Sequence, residues 1–167
     1  GRCRVGALLG APGAEARRVR DRGFDATPRC GGGWYTDADV AEACAELGYV
    51  DGTPRATRPP YLPPGAPWAS LQTPARIRLP SGRFLPAIPT THSLGDLARS
   101  LFQRASLPPV VHAYFHDTDL LDRRRRALLR AVVAFLGRRA GATDLDELAR
   151  TIGPTAPEIA WDDVARL

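Results

Sequence analysis

Three histidines and three cysteines, set among scattered carboxylates, are the side chains able to move a proton, attack a carbonyl or hold a metal. Their spacing decides which of these is open. His112 and His116 are four residues apart, and on a helix that H-x-x-x-H spacing would bring both imidazoles to one face and suit a metal ion. The stretch that carries them, Val110-Val111-His112-Ala113-Tyr114-Phe115-His116-Asp117-Thr118-Asp119, follows Pro108-Pro109 and is rich in β-branched and aromatic residues. That composition predicts a strand with a polar tip, on which the two imidazoles lie ~13 Å apart, too far to share one ion. The metal pair is therefore rejected. His112 is expected to be a half-buried structural histidine. His116, at the tip, is the candidate for proton transfer, because the C-terminal ends of parallel strands open into ligand crevices.

The remaining candidates are weaker. His92, in Thr90-Thr91-His92-Ser93, precedes a helix and reads as a loop residue ahead of a ligand. Cys30 stands beside Gly31-Gly32-Gly33 with no base paired to it in the sequence, so a nucleophile is not favoured. Those glycines match neither phosphate-binding pattern and are expected to let backbone come close to a substrate. Cys3, Cys30 and Cys44 form no C-x-x-C pair and leave an odd thiol, against a disulfide framework and a structural zinc site. A reducing compartment, by default the cytoplasm, is the expectation.

Around these residues the pattern alternates between strand and helix. Glu15 to Arg22 reads as a helix end closed by Gly23, followed by a short strand through Phe24 and the glycine loop. Asp37 can cap a helix from Ala38 to Leu47, and Tyr49-Val50-Asp51 reads as a strand with an acidic tip. Residues 52–74 form a proline-rich loop anchored by Tyr61 and Trp68. Ala75 to Leu79 and Phe84 to Ile88 flank a hairpin turn at Pro80-Ser81-Gly82, and Ser93 can cap a helix carrying Leu94, Leu97 and Leu101. Leu120 to Arg139 is the longest helical pattern, with Leu121, Leu128, Leu129, Val132 and Leu136 on its stripe and Arg123 to Arg126 on a solvated surface. Ala142-Thr143 reads as a last short strand, and Asp144 caps a helix from Leu145 to Arg150. The order is βαβ-like, predicting an α/β chain with mainly parallel strands, either an open sheet or part of a (β/α) barrel.

At 167 residues the chain suits one domain. Its formal charge of +5 raises the question of nucleic acid, but the aromatic residues, 7 % of the chain, are not interleaved with the basic ones. Zinc-finger and helix-turn-helix spacings are missing as well, and a nucleic-acid partner is not expected. All 23 basic residues are arginine, and lysine, asparagine and methionine are absent, as a GC-rich coding sequence would give. No apolar run approaches the ~20 residues of a membrane span. The start at Gly1-Arg2-Cys3 without methionine suggests an N-terminally truncated domain covering 1–167.

In series, Arg29-Cys30-Gly31-Gly32-Gly33-Trp34-Tyr35, Ala45-Glu46-Leu47-Gly48-Tyr49-Val50-Asp51, Tyr114-Phe115-His116-Asp117 and Thr143-Asp144-Leu145-Asp146-Glu147-Leu148 resemble the C-terminal half of the polysaccharide deacetylase family, the NodB-homology domain. The resemblance spans Glu15 to Arg150. It implies part of a distorted (β/α) barrel, lacking its first strands, and metal-dependent hydrolysis of acetyl groups on a sugar polymer. It further implies His116 as the acid that protonates the leaving group, with Arg29 and Asp51 as supporting catalytic residues. Trp34, Tyr35, Tyr61 and Trp68 would be substrate-binding rings, suited to sugar faces. The family's zinc is held by an early pair of aspartates and an H-x-x-x-H motif, which have no counterpart between Gly1 and Leu167. No metal ligand is therefore expected within this chain, and the chain alone is expected to be inactive. The competing expectation is a non-catalytic carbohydrate- or partner-binding remnant of the same fold.

Overall fold

The computed structural model describes residues 28–30, 34–138, 141–153 and 155–166. The expected helix at Glu15 to Arg22, the strand through Phe24 and the glycine loop Gly31–Gly33 lie outside the described residues.

Local capping rules account for most of the helices. Helix α1, Ala38–Glu46, begins where Asp37 turns its carboxylate onto the Val40 amide (2.9 Å) and ends before Gly48, whose φ of 70° few other residues accept. Helix α2, Leu94–Phe102, starts at Ser93, whose hydroxyl accepts from the Asp96 amide at 3.1 Å. The long helical pattern divides into α3, Asp117–Leu121, and α4, Arg123–Leu136. The break is Asp122, which sits in extended backbone (φ −77°, ψ 122°) and caps α4 by accepting from the Arg125 amide. The predicted stripe ran through this break, so its first member, Leu121, is 81 % exposed while Val132 is buried. Helix α5, Leu145–Ile152, is capped by Asp144, and Thr143 belongs to that cap, its hydroxyl 2.6 Å from Glu147, rather than to a strand. A last turn, α6, covers Trp161–Val164.

The strands are β1 (Pro28–Arg29), β2 (Val50–Asp51), β3 (Trp68–Ala69), β4 (Ala75–Arg78), β5 (Phe84–Ala87), β6 (His92–Ser93), β7 (Ala113–Tyr114), β8 (Glu158–Ala160) and β9 (Ala165–Arg166). Five of them form one sheet in the order β1-β2-β5-β4-β8. β1, β2 and β5 run parallel, with Arg29 opposite Asp51 and Asp51 opposite Ala87. β4 and β5 form the expected antiparallel hairpin, turned at Gly82 (φ 84°), and β8 pairs parallel to β4. Ser81 ties this turn to α1, its amide and hydroxyl meeting the Glu42 carboxylate at 2.9 and 2.6 Å. Two smaller pairs complete the structure: β6 parallel to β7, and β3 antiparallel to β9. The protein is thus mixed α/β with a largely parallel sheet, and among the described residues the strands do not close into a barrel.

The alternation along β4 and β5 buries Ala75, Ile77, Leu85 and Ala87 on one side, where Ala41 and Cys44 of α1 and Trp161 and Val164 of α6 pack on them. A second apolar cluster joins Leu94 and Leu97 of α2 to Val132 of α4. No helix among the described residues is long and apolar enough to cross a membrane.

Candidate functional site

The parallel strands β1, β2 and β5 deliver their chain ends to one edge of the sheet, and β6 and β7, which pair parallel to each other, follow from the segment after β5. After β2 the backbone Asp51 to Arg55 is buried throughout and cross-tied: the Thr53 amide donates to Asp51 Oδ1 (2.9 Å), Thr90 Oγ1 to the Gly52 carbonyl (2.8 Å) and the Thr90 amide to the Pro54 carbonyl (2.9 Å). A further pair of backbone bonds, Arg55 to Ala69 and Leu71 to Arg55, fixes the far end of this segment. Arg55 is therefore presented from a rigid support.

Its guanidinium lies 4.7 Å from the centre of the Trp34 ring and 5.2 Å from that of Tyr114, within the range of cation–π attraction. The two rings meet edge to face at 4.9 Å, and Tyr114 in turn meets the His116 imidazole edge to face at 5.8 Å. Trp34 reaches this position with a φ of 63°, a left-handed conformation that a bulky side chain adopts only where its surroundings hold it. The exposed Tyr61 ring closes the group from the proline-rich loop. Loss of water around its phenol, then the neighbouring Tyr114 hydroxyl, push Tyr61 upward from the usual tyrosine value, and the positive charge of Arg55 draws it back.

His116 is exposed and is the N-cap residue immediately before α3. Its backbone is clamped by Asp119, whose Oδ2 accepts from the His116 amide at 3.0 Å while the Asp119 amide donates to the His116 carbonyl at 2.9 Å. The other carboxylate oxygen of Asp119 is bonded to the Arg125 guanidinium. The Arg125 bond first, and the His116 amide second, hold the Asp119 carboxyl below the ordinary carboxylate range.

His112 and His92 have structural partners. His112 is half-buried with Nδ1 3.3 Å from the Ile88 carbonyl, and its backbone exchanges bonds with Thr91, amide to Oγ1 at 3.1 Å and carbonyl to the Thr91 amide at 2.8 Å. His92 Nδ1 lies 2.9 Å from Thr91 Oγ1. Burial is the main reason both imidazoles sit below the usual histidine value; at His92, Asp96 opposes the shift and Arg55 adds to it. Between His112 and His116 runs β7 with its flanks, not a helix.

Of the residues singled out from the sequence, Trp34, Tyr61 and His116 come together around Tyr114 and Arg55. Asp51 is 2 % exposed at the base of the same edge, and Arg29 is its backbone neighbour across β1 and β2. Tyr35 and Trp68 go elsewhere. The Tyr35 hydroxyl donates to Asp37 at 2.6 Å, and this bond, more than burial, pushes its phenol up to about 12. Trp68 is held in β3 against β9 and lines a separate 510 Å³ cleft with Thr36, Asp37 and Trp161. Three residues of this group, Tyr114, Arg55 and Asp119, were not singled out from the sequence. Arg55 carries no signal within a proline-rich stretch. Asp119 does carry one, since a carboxylate three residues after a helix-capping position is the reciprocal half of a capping box.

Among the described residues no three His, Cys, Asp or Glu side chains group so as to hold a metal ion. The chain matches no protein-family model, no curated protein and no solved structure.

Proposed function

We propose that this chain is the sugar-binding and proton-donating part of a carbohydrate deacetylase, folded as part of a distorted (β/α) barrel. The observation that carries this reading is the convergence of Trp34, Tyr61 and the Tyr114–His116 segment, three separate stretches of chain, on one strand-end edge. Aromatic faces offer broad apolar contact to the C–H face of a pyranose, and their polar rims can bond its hydroxyls. An exposed imidazole held at their margin is placed to deliver a proton to a departing amine, while Asp119 keeps its backbone in one position. The zinc that the family resemblance implies does not fit the described residues, which offer no three-ligand group. No step is therefore routed through a metal here, and sugar binding without hydrolysis, which the ring group would serve by itself, is the second reading.

Titration of the chain with an N-acetylglucosamine hexamer, followed by tryptophan fluorescence, tests the shared core of both readings. Saturable quenching is the expected result, with affinity about tenfold weaker in Trp34→Ala when binding is followed by calorimetry, and no binding at millimolar sugar would sink both. Acetate release separates them. The 167-residue chain with added zinc is expected to release none, and release that disappears in His116→Ala would demonstrate a complete catalytic site within it.

A further inference from the structure

Arg55 is 8 % exposed, yet among the described residues it belongs to no ion pair, those being Arg76–Glu158, Arg99–Asp96 and Arg125–Asp119. Withdrawing a guanidinium from water is costly unless an anion and hydrogen-bond acceptors replace the lost hydration. The Trp34 and Tyr114 rings supply part of the compensation through their negative faces, but a π face takes up little of the guanidinium's directional N–H bonding. The Tyr61 hydroxyl is its polar neighbour. Both imidazoles on this edge, His92 and His116, add positive charge on protonation and supply no anion.

A planar, permanently charged fork held by rings at a ligand-facing edge is matched by a carboxylate, which can accept from two parallel N–H groups at once. We infer that Arg55 is the specificity-determining residue of a subsite for the carboxylate of an acidic sugar, so that the glycan recognised carries uronic acid units among its N-acetylated ones. The inference rests on the sugar-binding reading above and names the substrate class that the same edge selects. The rigid cross-ties of residues 51–55 hold the guanidinium in place before the ligand arrives, so little conformational freedom is lost on binding.

The test compares two hexasaccharides on the intact chain, one of N-acetylglucosamine alone and one alternating N-acetylglucosamine with glucuronic acid. The acidic oligomer is expected to bind roughly tenfold more tightly at low salt, as one charge-assisted bidentate contact would give, and to lose that advantage as salt rises. Arg55→Gln should abolish the preference, read as the ratio of its affinities for the acidic and the neutral oligomer, whatever its effect on neutral binding. Equal affinity for the two sugars, or a preference that salt does not touch, overturns the carboxylate subsite while leaving sugar binding standing. Failure to bind either sugar overturns both. Should Arg55→Gln not fold, by far-ultraviolet circular dichroism, the salt titration of the unmodified chain decides.

Discussion

Trp34 and Trp68 are nearly equal in burial, 8 % and 9 % exposed, yet the fold gives them opposite employment. Trp34 stands at the end shared by parallel strands, held in a left-handed backbone, with a buried cation on its face and a histidine one ring away. Trp68 lies within an antiparallel pair, between the apolar core and a cleft whose other walls include Trp161 and Thr36. Parallel strands end together at one edge and leave their following loops free to converge, whereas an antiparallel pair uses its residues to hold two chain segments together. An aromatic residue's chemistry thus follows from the strand arrangement that presents it more than from its own type or burial.

The largest effect that would separate the two regions is on stability. Trp68→Ala should cost ~3–5 kcal/mol in denaturant unfolding, as truncation of a buried tryptophan does, while the remaining folded protein binds sugar unchanged. A parallel loss of affinity would return Trp68 to the sugar site. Trp34→Ala is the counterpart, expected to lower affinity for N-acetylglucosamine oligomers about tenfold, the weight of a lost stacking contact.

The next prediction concerns the Trp68 side alone. Thr36 is buried with no partner for its hydroxyl among the described residues, so Thr36→Val, which keeps the shape and removes the polar atom, should stabilise by about 1 kcal/mol in thermal unfolding. Destabilisation would mean that the hydroxyl is bonded in solution.

Asp119→Ala addresses the other side. Without the carboxylate the His116 amide loses its acceptor, and its hydrogen exchange should accelerate several-fold while amides in α1 stay unchanged. Acid gives the same readout in the unaltered protein. Because the folded-state value of Asp119 lies below its unfolded one, its stabilising contribution is complete above the ordinary carboxylate range and lost only as pH falls through the lowered value. His116 protection should therefore persist while exposed carboxylates titrate.

The smallest effect belongs to Tyr35. Its folded value is raised to about 12, so it contributes stability that is complete below the unfolded value near 10 and lost as pH rises toward 12. Ultraviolet titration should show Tyr35 among the late-ionising tyrosines, and Asp37→Ala should bring it back into line with exposed tyrosines.

The helix starts were legible because capping is local: Asp37, Ser93 and Asp144 each bond an amide three residues on, and the sequence carries both partners. Asp122 obeys the same rule, but it falls inside an unbroken apolar stripe that concealed the division of α3 from α4. β8, α6 and β9 left no readable pattern, since strands of two or three residues exist through pairing with β4 and β3 rather than through their own composition.

In the candidate site, the chain order by itself determined that His116 would stand at the tip of a strand and that Trp34 would follow a glycine run. Strand propensity and turn chemistry act within a few residues, so both were readable there. Only the tertiary structure decided that Arg55 would be buried against both Trp34 and Tyr114, that Asp119 would clamp His116, and that Trp68 would leave the site for the core. Burial and ring contact depend on which strand ends are brought to one edge, and that placement is set by long-range pairing that no local stretch of the sequence contains.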